Sequence, residues 1–159
     1  MNQAEPIAVI GAGSWGTALA ILLANNGAPV RLWGRDPQQM AAMARERVNR
    51  RYLPDIPLPD GLSPMTEMRE AIDGVRDLLL AVPSHAFRQT LRTLEPLLAD
   101  DIRLSWASKG LEPGSRKFIH EMITEELGEM PMALVSGPAF AREVAQGLLR
   151  RGWERRRFG

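Results

Sequence analysis

Short apolar runs and helix-like segments alternate along this chain, and that alternation limits the folds available to it. Runs of four to six residues, rich in Val, Ile and Leu, lie at 7–10, 30–33, 77–82, 102–107 and 132–135. Segments with helical spacing of apolar residues separate them, at 15–25, 37–48, 84–98 and 115–127. Strands this short and apolar are typical of parallel sheets that helices cover on both faces. We therefore predict an α/β fold with a doubly wound, mostly parallel sheet and right-handed crossovers.

Cap residues and prolines set the expected helix boundaries. Asp36 precedes Pro37, and proline suits the start of a helix because it lacks an N–H that the first turn could not bond. Ser84 and Ser115 predict the starts of two further helices in the same way. The proline-rich stretch 49–64 cannot stay regular for long, so we expect a loop lying over the domain or a linker at the sheet's edge.

Length and composition are those of one soluble globular domain. The chain has 159 residues, of which 45% are hydrophobic and 25% charged, and it is long enough to bury a core without staples. No apolar run approaches the roughly 20 residues that cross a bilayer, and no secretory leader is visible, so we expect a cytoplasmic protein without membrane insertion. Because the sequence has no cysteine and no histidine–carboxylate cluster at ligand spacing, no metal site is predicted.

Three glycines follow the first apolar run and open the first helix. Gly11, Gly13 and Gly16 have the spacing G-x-G-x-x-G. The first glycine permits a tight turn, the second lets the backbone approach a pyrophosphate, and the third allows close packing of helix on strand. The helix N-terminus adds unpaired amides and a positive dipole end. We therefore predict a Rossmann-type dinucleotide-binding domain.

The end of the second strand carries the signal for cofactor choice. Sites that select NAD usually place an acidic residue there, on the ribose hydroxyls. Here Arg35 is the first charged residue after the strand, and its guanidinium suits a 2′-phosphate, whereas Asp36 is explained as a helix cap. NADP is favoured and NAD stays open, as does the alternative that Arg35 is a solvated loop residue.

Further candidates follow the third, fourth and fifth strands. Lys109, beside a flexible glycine, can reach a phosphate or a substrate oxygen, although a solvated lysine would look the same. His85 starts a helix and is expected near the cofactor, and His120 is expected on a helix surface. Gly137 precedes a helix start whose amides suit an anionic group, or it belongs to an ordinary connection.

Six segments, in this order, carry a resemblance to a known family. They are "GAGSWGTALA", "LWGRD", "YLP", "VPSH", "ASKGLE" and "SGPAFAREVA". Together they resemble the bacterial NAD(P)-dependent glycerol-3-phosphate dehydrogenases, over about residues 7–147. The resemblance implies an oxidoreductase that transfers hydride between dihydroxyacetone phosphate and sn-glycerol 3-phosphate for glycerophospholipid synthesis. It assigns roles to these residues: Ser14, Trp15, Arg35, Tyr52 and Ala141 at the dinucleotide, Lys109 at both cofactor and substrate, and Gly137 and Ala139 at the substrate.

Departures from the family pattern qualify these roles. The family commonly has Ser or Thr at the position of Ala139, so one side-chain hydrogen bond to substrate is expected to be missing. The family also continues into a second, helical domain, which holds the lysine thought to accept the proton. We therefore expect residues 1–147 to form the dinucleotide-binding domain, with no catalytic residue of their own and little turnover. The substrate partners are small molecules, nucleic acid is not expected, and a homo-oligomer is possible.

Residues 148–159 differ from the rest of the chain. They hold five arginines and one glutamate, a charge of +4, whereas residues 1–147 carry −3. The chain's net charge of +1 is therefore positive only because of this segment. We expect this basic tail to be unstructured, either as an arm for nucleic acid or an acidic partner, or as the product of a shifted reading frame. Two other functions stay open: another two-domain NAD(P)-dependent hydroxyacid dehydrogenase, and a non-catalytic dinucleotide-binding module.

Overall fold

A computed structural model describes residues 5–136 and 140–148. Eight strands are found there: β1 (Ile7–Ile10), β2 (Val30–Trp33), β3 (Val48–Asn49), β4 (Leu53–Pro57), β5 (Leu62–Met65), β6 (Asp77–Leu80), β7 (Arg103–Trp106) and β8 (Met132–Leu134). The helices are α1 (Ser14–Asn25), α2 (Pro37–Glu46), α3 (Met68–Ile72), α4 (Ser84–Leu94), α5 (Ile119–Leu127) and α6 (Ala141–Ala145), with a 3₁₀ helix at Glu95–Leu97. Within these residues, no helix combines the length and apolarity needed to cross a bilayer.

Six strands form one parallel sheet in the order β5-β2-β1-β6-β7-β8. From β1 the chain winds outward through β2 to β5, and it then returns to β6 and winds the other way. The direction therefore reverses between β1 and β6. The pairing aligns the last residues of neighbouring strands, with Ile10 opposite both Trp33 and Leu80. The predicted doubly wound α/β fold is confirmed, and the loops after these strands meet at one edge.

Alternate residues of each strand supply two apolar layers, one on each face of the sheet. In β1, Val9 belongs to the layer that includes core residues of α1, α2 and α6. Its neighbours Ala8 and Ile10 belong to the layer on the other face, with core residues of α3, α4 and α5. Such continuously apolar strands are stable only when helices cover both faces, because every side chain is then removed from water.

Two of the three expected helix starts are confirmed. Asp36 caps α2, since its Oδ1 accepts hydrogen bonds from the backbone N–H groups of Gln38 and Gln39, at 2.9 and 3.3 Å. Helix α4 begins at Ser84, as predicted. The start predicted at Ser115 is wrong, because α5 begins only at Ile119.

The physical reason is that Ser115 does not cap α5. Its side chain bonds to a loop carboxylate, and a different carboxylate, that of Glu121, caps the helix. The Ser115 hydroxyl donates to the Glu112 carboxylate within a loop. At the true start, Glu121 reaches back and accepts a hydrogen bond from the backbone N–H of Phe118 at 2.7 Å. A capping glutamate of this kind satisfies a donor that the first helical turn leaves unpaired.

The proline-rich stretch 49–64 is more regular than predicted. It contains most of an antiparallel pair, β3–β4, and all of β5 except its last residue. Strand β5 tolerates Pro64 because it is the edge of the sheet, where a missing N–H leaves no neighbouring strand without a partner. The stretch also contributes buried residues to the core: Leu53, Ile56, Leu58 and Leu62. The predicted tail at 148–159, by contrast, lies outside the described residues apart from Leu148.

Two phenylalanines give a test of the core. Phe87 on α4 is fully buried, whereas Phe118 is 57% exposed. We expect Phe87→Ala to lower the free energy of unfolding by about 3–5 kcal/mol, since it removes a ring from a closed core. Phe118→Ala should cost less than about 1 kcal/mol. Urea denaturation of both variants checks this, and equal losses would contradict the assignment of the core.

Candidate functional site

A cleft of about 740 Å³ opens at the carboxyl edge of the sheet. Its walls include the loops after β1, β2, β6 and β7, so it spans the point where the strand order reverses. Open α/β sheets bind ligands at this place. The cleft is lined by most of the residues predicted for cofactor binding: Gly11, Gly13, Ser14, Trp15, Arg35, Tyr52, Lys109 and Ala141. His85 also lines it.

The three glycines have different surroundings. A Cβ at Gly16 would lie 1.8 Å from the carbonyl oxygen of Gly11, so this glycine is needed for packing beneath the cleft. Gly11 has φ +119°, and its own Cβ would lie 2.5 Å from the Ala81 carbonyl oxygen. A Cβ at Gly13 would meet no protein atom within 4 Å. Gly11 and Gly16 are therefore needed for close backbone packing, whereas Gly13 leaves open space beside the unpaired amides that begin α1.

A buried polar network, which the sequence reasoning missed, connects the glycine turn to the segment after α2. Asn49 is fully buried, and its Nδ2 donates to the Ala12 carbonyl at 3.1 Å and to the Thr17 hydroxyl at 2.8 Å. Its Oδ1 accepts from Gln39 Nε2 at 3.4 Å and from the backbone N–H of Tyr52 at 3.3 Å. The network fixes the position of residues 50–52 relative to the turn. No sequence pattern distinguishes such an asparagine from one in a surface turn.

Three cations in the cleft have no acidic partner. Arg35, Arg51 and Lys109 line it, and their side chains form no ion pair with any residue in 5–136 or 140–148. Most other described arginines bond to carboxylates or to backbone carbonyls: Arg31, Arg45, Arg47, Arg50, Arg76, Arg88, Arg92, Arg103 and Arg142. Arg69 and Arg116 also lack such bonds, but they lie outside the cleft. The cleft therefore concentrates uncompensated positive charge, which favours an anionic ligand.

Arg51 and Phe140 are cleft residues that sequence reasoning did not identify. The Arg51 guanidinium lies over the Tyr52 ring, 5.3 Å from its centroid, and Phe140 is 75% exposed beside the start of α6. The adjacent Arg50 pairs with Glu46 instead. The run Arg50–Arg51 could have drawn attention to this place, but only the structure shows which arginine faces the cleft.

The segment that carries Lys109 is held at both ends. On one side, the Ser108 hydroxyl donates to the Val82 carbonyl at 2.5 Å. On the other, Arg88 of α4 donates two hydrogen bonds to Glu112, at 2.5 and 2.9 Å. Arg88 and Glu112 are only 19% and 15% exposed. These contacts position the Lys109 backbone beside the cleft.

The same cluster shifts the acidity of its members. The Arg88 guanidinium, and then the Ser115 hydroxyl, bond to the Glu112 carboxylate and lower its pKa to about 2. Arg88 also bonds to Glu125 and Glu126 of α5, and Lys117 bonds to Glu125. Hydrogen bonds from Lys117 and then Arg88 lower the pKa of Glu125, and hydrogen bonds from Arg92 and then Arg88 lower the pKa of Glu126. The cluster thus keeps its carboxylates ionised and ties the loop to two helices.

The remaining predicted residues lie in other places. Gly16 lies beneath the cleft rather than on its wall. Gly137 and Ala139 lie outside the described residues. His120 is exposed on α5, where its ring stacks on Phe118 at 5.6 Å between centroids.

Gly16 and Gly13 give a paired test of the turn. Gly16→Ala should destabilise the domain by about 1–3 kcal/mol or more, because its Cβ cannot coexist with the Gly11 carbonyl without a backbone shift. Gly13→Ala should change stability by less than about 1 kcal/mol, since its Cβ meets open space. Thermal unfolding of both variants measures the difference. A Gly16→Ala variant as stable as the parent would contradict the close contact.

Glu112 should make stability depend on acidity. Because its pKa in the folded chain is about 2, below the ordinary 4.5, its contribution is complete above pH 4.5 and is lost as the pH falls towards 2. Glu112→Gln should therefore lose less stability than the parent across that window. Urea unfolding at a series of pH values checks this. Glu129→Gln, at an exposed position, is the control and should keep the parent's dependence.

Comparisons with known proteins agree with this geometry. Residues 6–151 match the family model described as the N-terminus of NAD-dependent glycerol-3-phosphate dehydrogenase. A glycerol-3-phosphate dehydrogenase [NAD(P)+] of Stenotrophomonas maltophilia is 53% identical over 148 residues, which cover 92% of this chain and 43% of that protein. A homologue from Tolumonas auensis with the same name is 48% identical over 149 residues, covering 93% of this chain and 45% of that protein. The chain thus spans less than half the length of these curated relatives.

Solved structures give the same result. The crystal structure of glycerol-3-phosphate dehydrogenase from Coxiella burnetii superposes with a TM-score of 0.86 at 45% identity, covering 90% of this chain and 44% of that one. The yeast glycerol-3-phosphate dehydrogenase superposes with a TM-score of 0.79 at 26% identity, covering 91% and 45%. The family model matches nearly the whole chain, and the sheet and cleft agree with it. The chain therefore belongs to the NAD-dependent glycerol-3-phosphate dehydrogenase family, of which it matches the N-terminal part.

Proposed function

We propose that this chain is the dinucleotide-binding part of a glycerol-3-phosphate dehydrogenase and that its cleft holds NADP or NAD. The single observation that carries the proposal is the cleft itself, which joins a glycine turn and the start of a helix to three cations without acidic partners. A dinucleotide has a pyrophosphate, which binds at a glycine turn of this kind, and two nucleoside halves, which extend along the crevice on either side of it.

The residues fit such a cofactor. The open space at Gly13 lets phosphate oxygens approach the amides at the start of α1, which carry partial positive charge. The buried Nε1 of Trp15 has no hydrogen-bond partner among residues 5–136 and 140–148. An unpaired buried donor costs about 1–3 kcal/mol, so an acceptor on a bound molecule would suit it.

The two ends of the cleft would bind different halves of the cofactor. Arg35 follows β2 and Lys109 follows β7, which lie three strand steps apart, or about 14 Å at the usual spacing. By the general rule for this fold, the ribose of the adenosine half lies at the end of β2. Lys109 and His85 then lie towards the nicotinamide half, with Tyr52 at the adenosine half.

The reaction proposed for the whole protein is reversible hydride transfer between dihydroxyacetone phosphate and sn-glycerol 3-phosphate, in the cytoplasm, for glycerophospholipid synthesis. The bound nicotinamide supplies the hydride chemistry. The contribution of these residues is to bind and orient it, and Lys109 is proposed to contact the substrate phosphate or oxygen as well. Gly137 and Ala139 are proposed to contact the substrate, and Ala141 is proposed to contact the cofactor. The proton acceptor is assigned to a part of the protein beyond residues 1–147, and a homo-oligomer is part of the proposal.

Binding to the purified chain tests this proposal. We expect it to bind NADPH or NADH, and we expect Gly13→Ala to weaken binding by at least about tenfold, or about 1.4 kcal/mol, because the added methyl group occupies the approach to the pyrophosphate. Isothermal titration calorimetry gives the Kd values.

Gly61→Ala is the matched control. Its Cβ would meet its nearest atom at 3.5 Å, an ordinary contact, and it lies outside the cleft. Its affinity should equal that of the parent. Absence of any NADPH or NADH binding by a folded parent chain would refute the proposed function.

A further inference from the structure

Arg51 differs from its neighbours in what it contacts. Arg45 and Arg50 both bond to Glu46, and Arg47 donates to the carbonyls of Pro59 and Leu62. Arg51 has no carboxylate or carbonyl partner among the described residues, and it faces the cleft. Of the arginines around α2, therefore, Arg51 keeps its donors available for a ligand.

The structure also holds Arg51 in place. The residue lies between Asn49, which is fully buried and bonded to the glycine turn, and Tyr52, whose N–H bonds back to Asn49 Oδ1. Its guanidinium rests over the Tyr52 ring, a contact that leaves the edge of the planar group free to donate. A group positioned before binding loses less entropy when it binds.

Arg35 supplies a second free guanidinium on the wall of the same cleft. It directly follows the turn after β2, where this fold places the adenosine ribose. Among the described residues that line the cleft, Asp36 is the only acidic one, and its Oδ1 accepts two backbone N–H groups as the cap of α2. The cleft therefore presents two arginines without acidic partners, Arg35 and Arg51, and its one acidic residue among those described is engaged through Oδ1 as a helix cap.

We propose that Arg51, together with Arg35, binds the 2′-phosphate that distinguishes NADP from NAD, so that Arg51 determines cofactor specificity. The inference depends on the proposed function, since it assumes that a dinucleotide occupies the cleft. A phosphate with two negative charges matches two guanidinium groups, which bind it through paired N–H donors. NAD has a hydroxyl at that position and gains little from either arginine.

The test compares NADPH and NADH binding to the parent chain and to Arg51→Gln. Loss of one charge-assisted contact should raise the Kd for NADPH by about tenfold or more and the Kd for NADH by less than about twofold. Arg35→Gln should show the same selectivity. Arg51→Lys keeps the charge without the planar group and should fall between the parent and Arg51→Gln.

Arg69→Gln is the matched control, because Arg69 is an exposed arginine outside the cleft and should bind both cofactors like the parent. Equal melting temperatures exclude a folding defect, which is not expected at an exposed position. If Arg51→Gln weakens both cofactors equally, or neither, the inference is wrong while the proposed function stands. If the parent chain binds neither cofactor, both are refuted.

Discussion

The contact between the backbone of α1 and the turn after β1 is the constraint on which the rest of the site depends. With 1.8 Å between a hypothetical Gly16 Cβ and the Gly11 carbonyl, the helix can lie this close only because no side chain intervenes. The glycine turn also packs closely against the loop after β6, since a Cβ on Gly11 would overlap the Ala81 carbonyl. Three backbone segments therefore meet at the point where the strand order reverses, and the cleft is what remains above them.

Asn49 extends that arrangement into a second layer. Its amide satisfies the Ala12 carbonyl and the Thr17 hydroxyl, and its carbonyl oxygen accepts two donors, so both ends of the side chain are paired. A buried polar group is stable only under this condition, and a fully satisfied network also specifies one arrangement. These bonds join the glycine turn to the wall that carries Arg51 and Tyr52. The two segments therefore have a fixed relative position before any ligand binds.

The sequence was sufficient to predict the parallel sheet apart from its edge strand β5, because short apolar strands and capped helices have strong local signals. It was not sufficient for β5, where Pro64 suggests irregular structure and only the edge position of the strand makes proline tolerable. It also misjudged the start of α5, since Ser115 and Glu121 are both plausible capping residues and tertiary contacts decide between them.

The residues of the candidate site also fall into two groups, those that the sequence could predict and those that it could not. Gly11, Gly13 and Arg35 follow from motif and strand order, since both depend on residues close in sequence. Arg51 and Asn49 do not, because their importance depends on which of several polar residues after α2 turns inward. That choice is made by hydrogen bonds to Ala12 and Thr17, which are more than 30 residues away in sequence.

The ion cluster around Arg88 has a consequence for the electric field of the molecule. Arg88, Arg92 and Lys117 pair with Glu112, Glu125 and Glu126, so equal numbers of positive and negative charges cancel beside the segment that carries Lys109. The field at the cleft mouth is then set by cations that have no such compensation. A field of this kind accelerates the diffusional arrival of anions, and it weakens as salt shortens the Debye length to about 8 Å at physiological ionic strength. The paired charges thus hold the loop, and the unpaired ones attract the ligand from a distance.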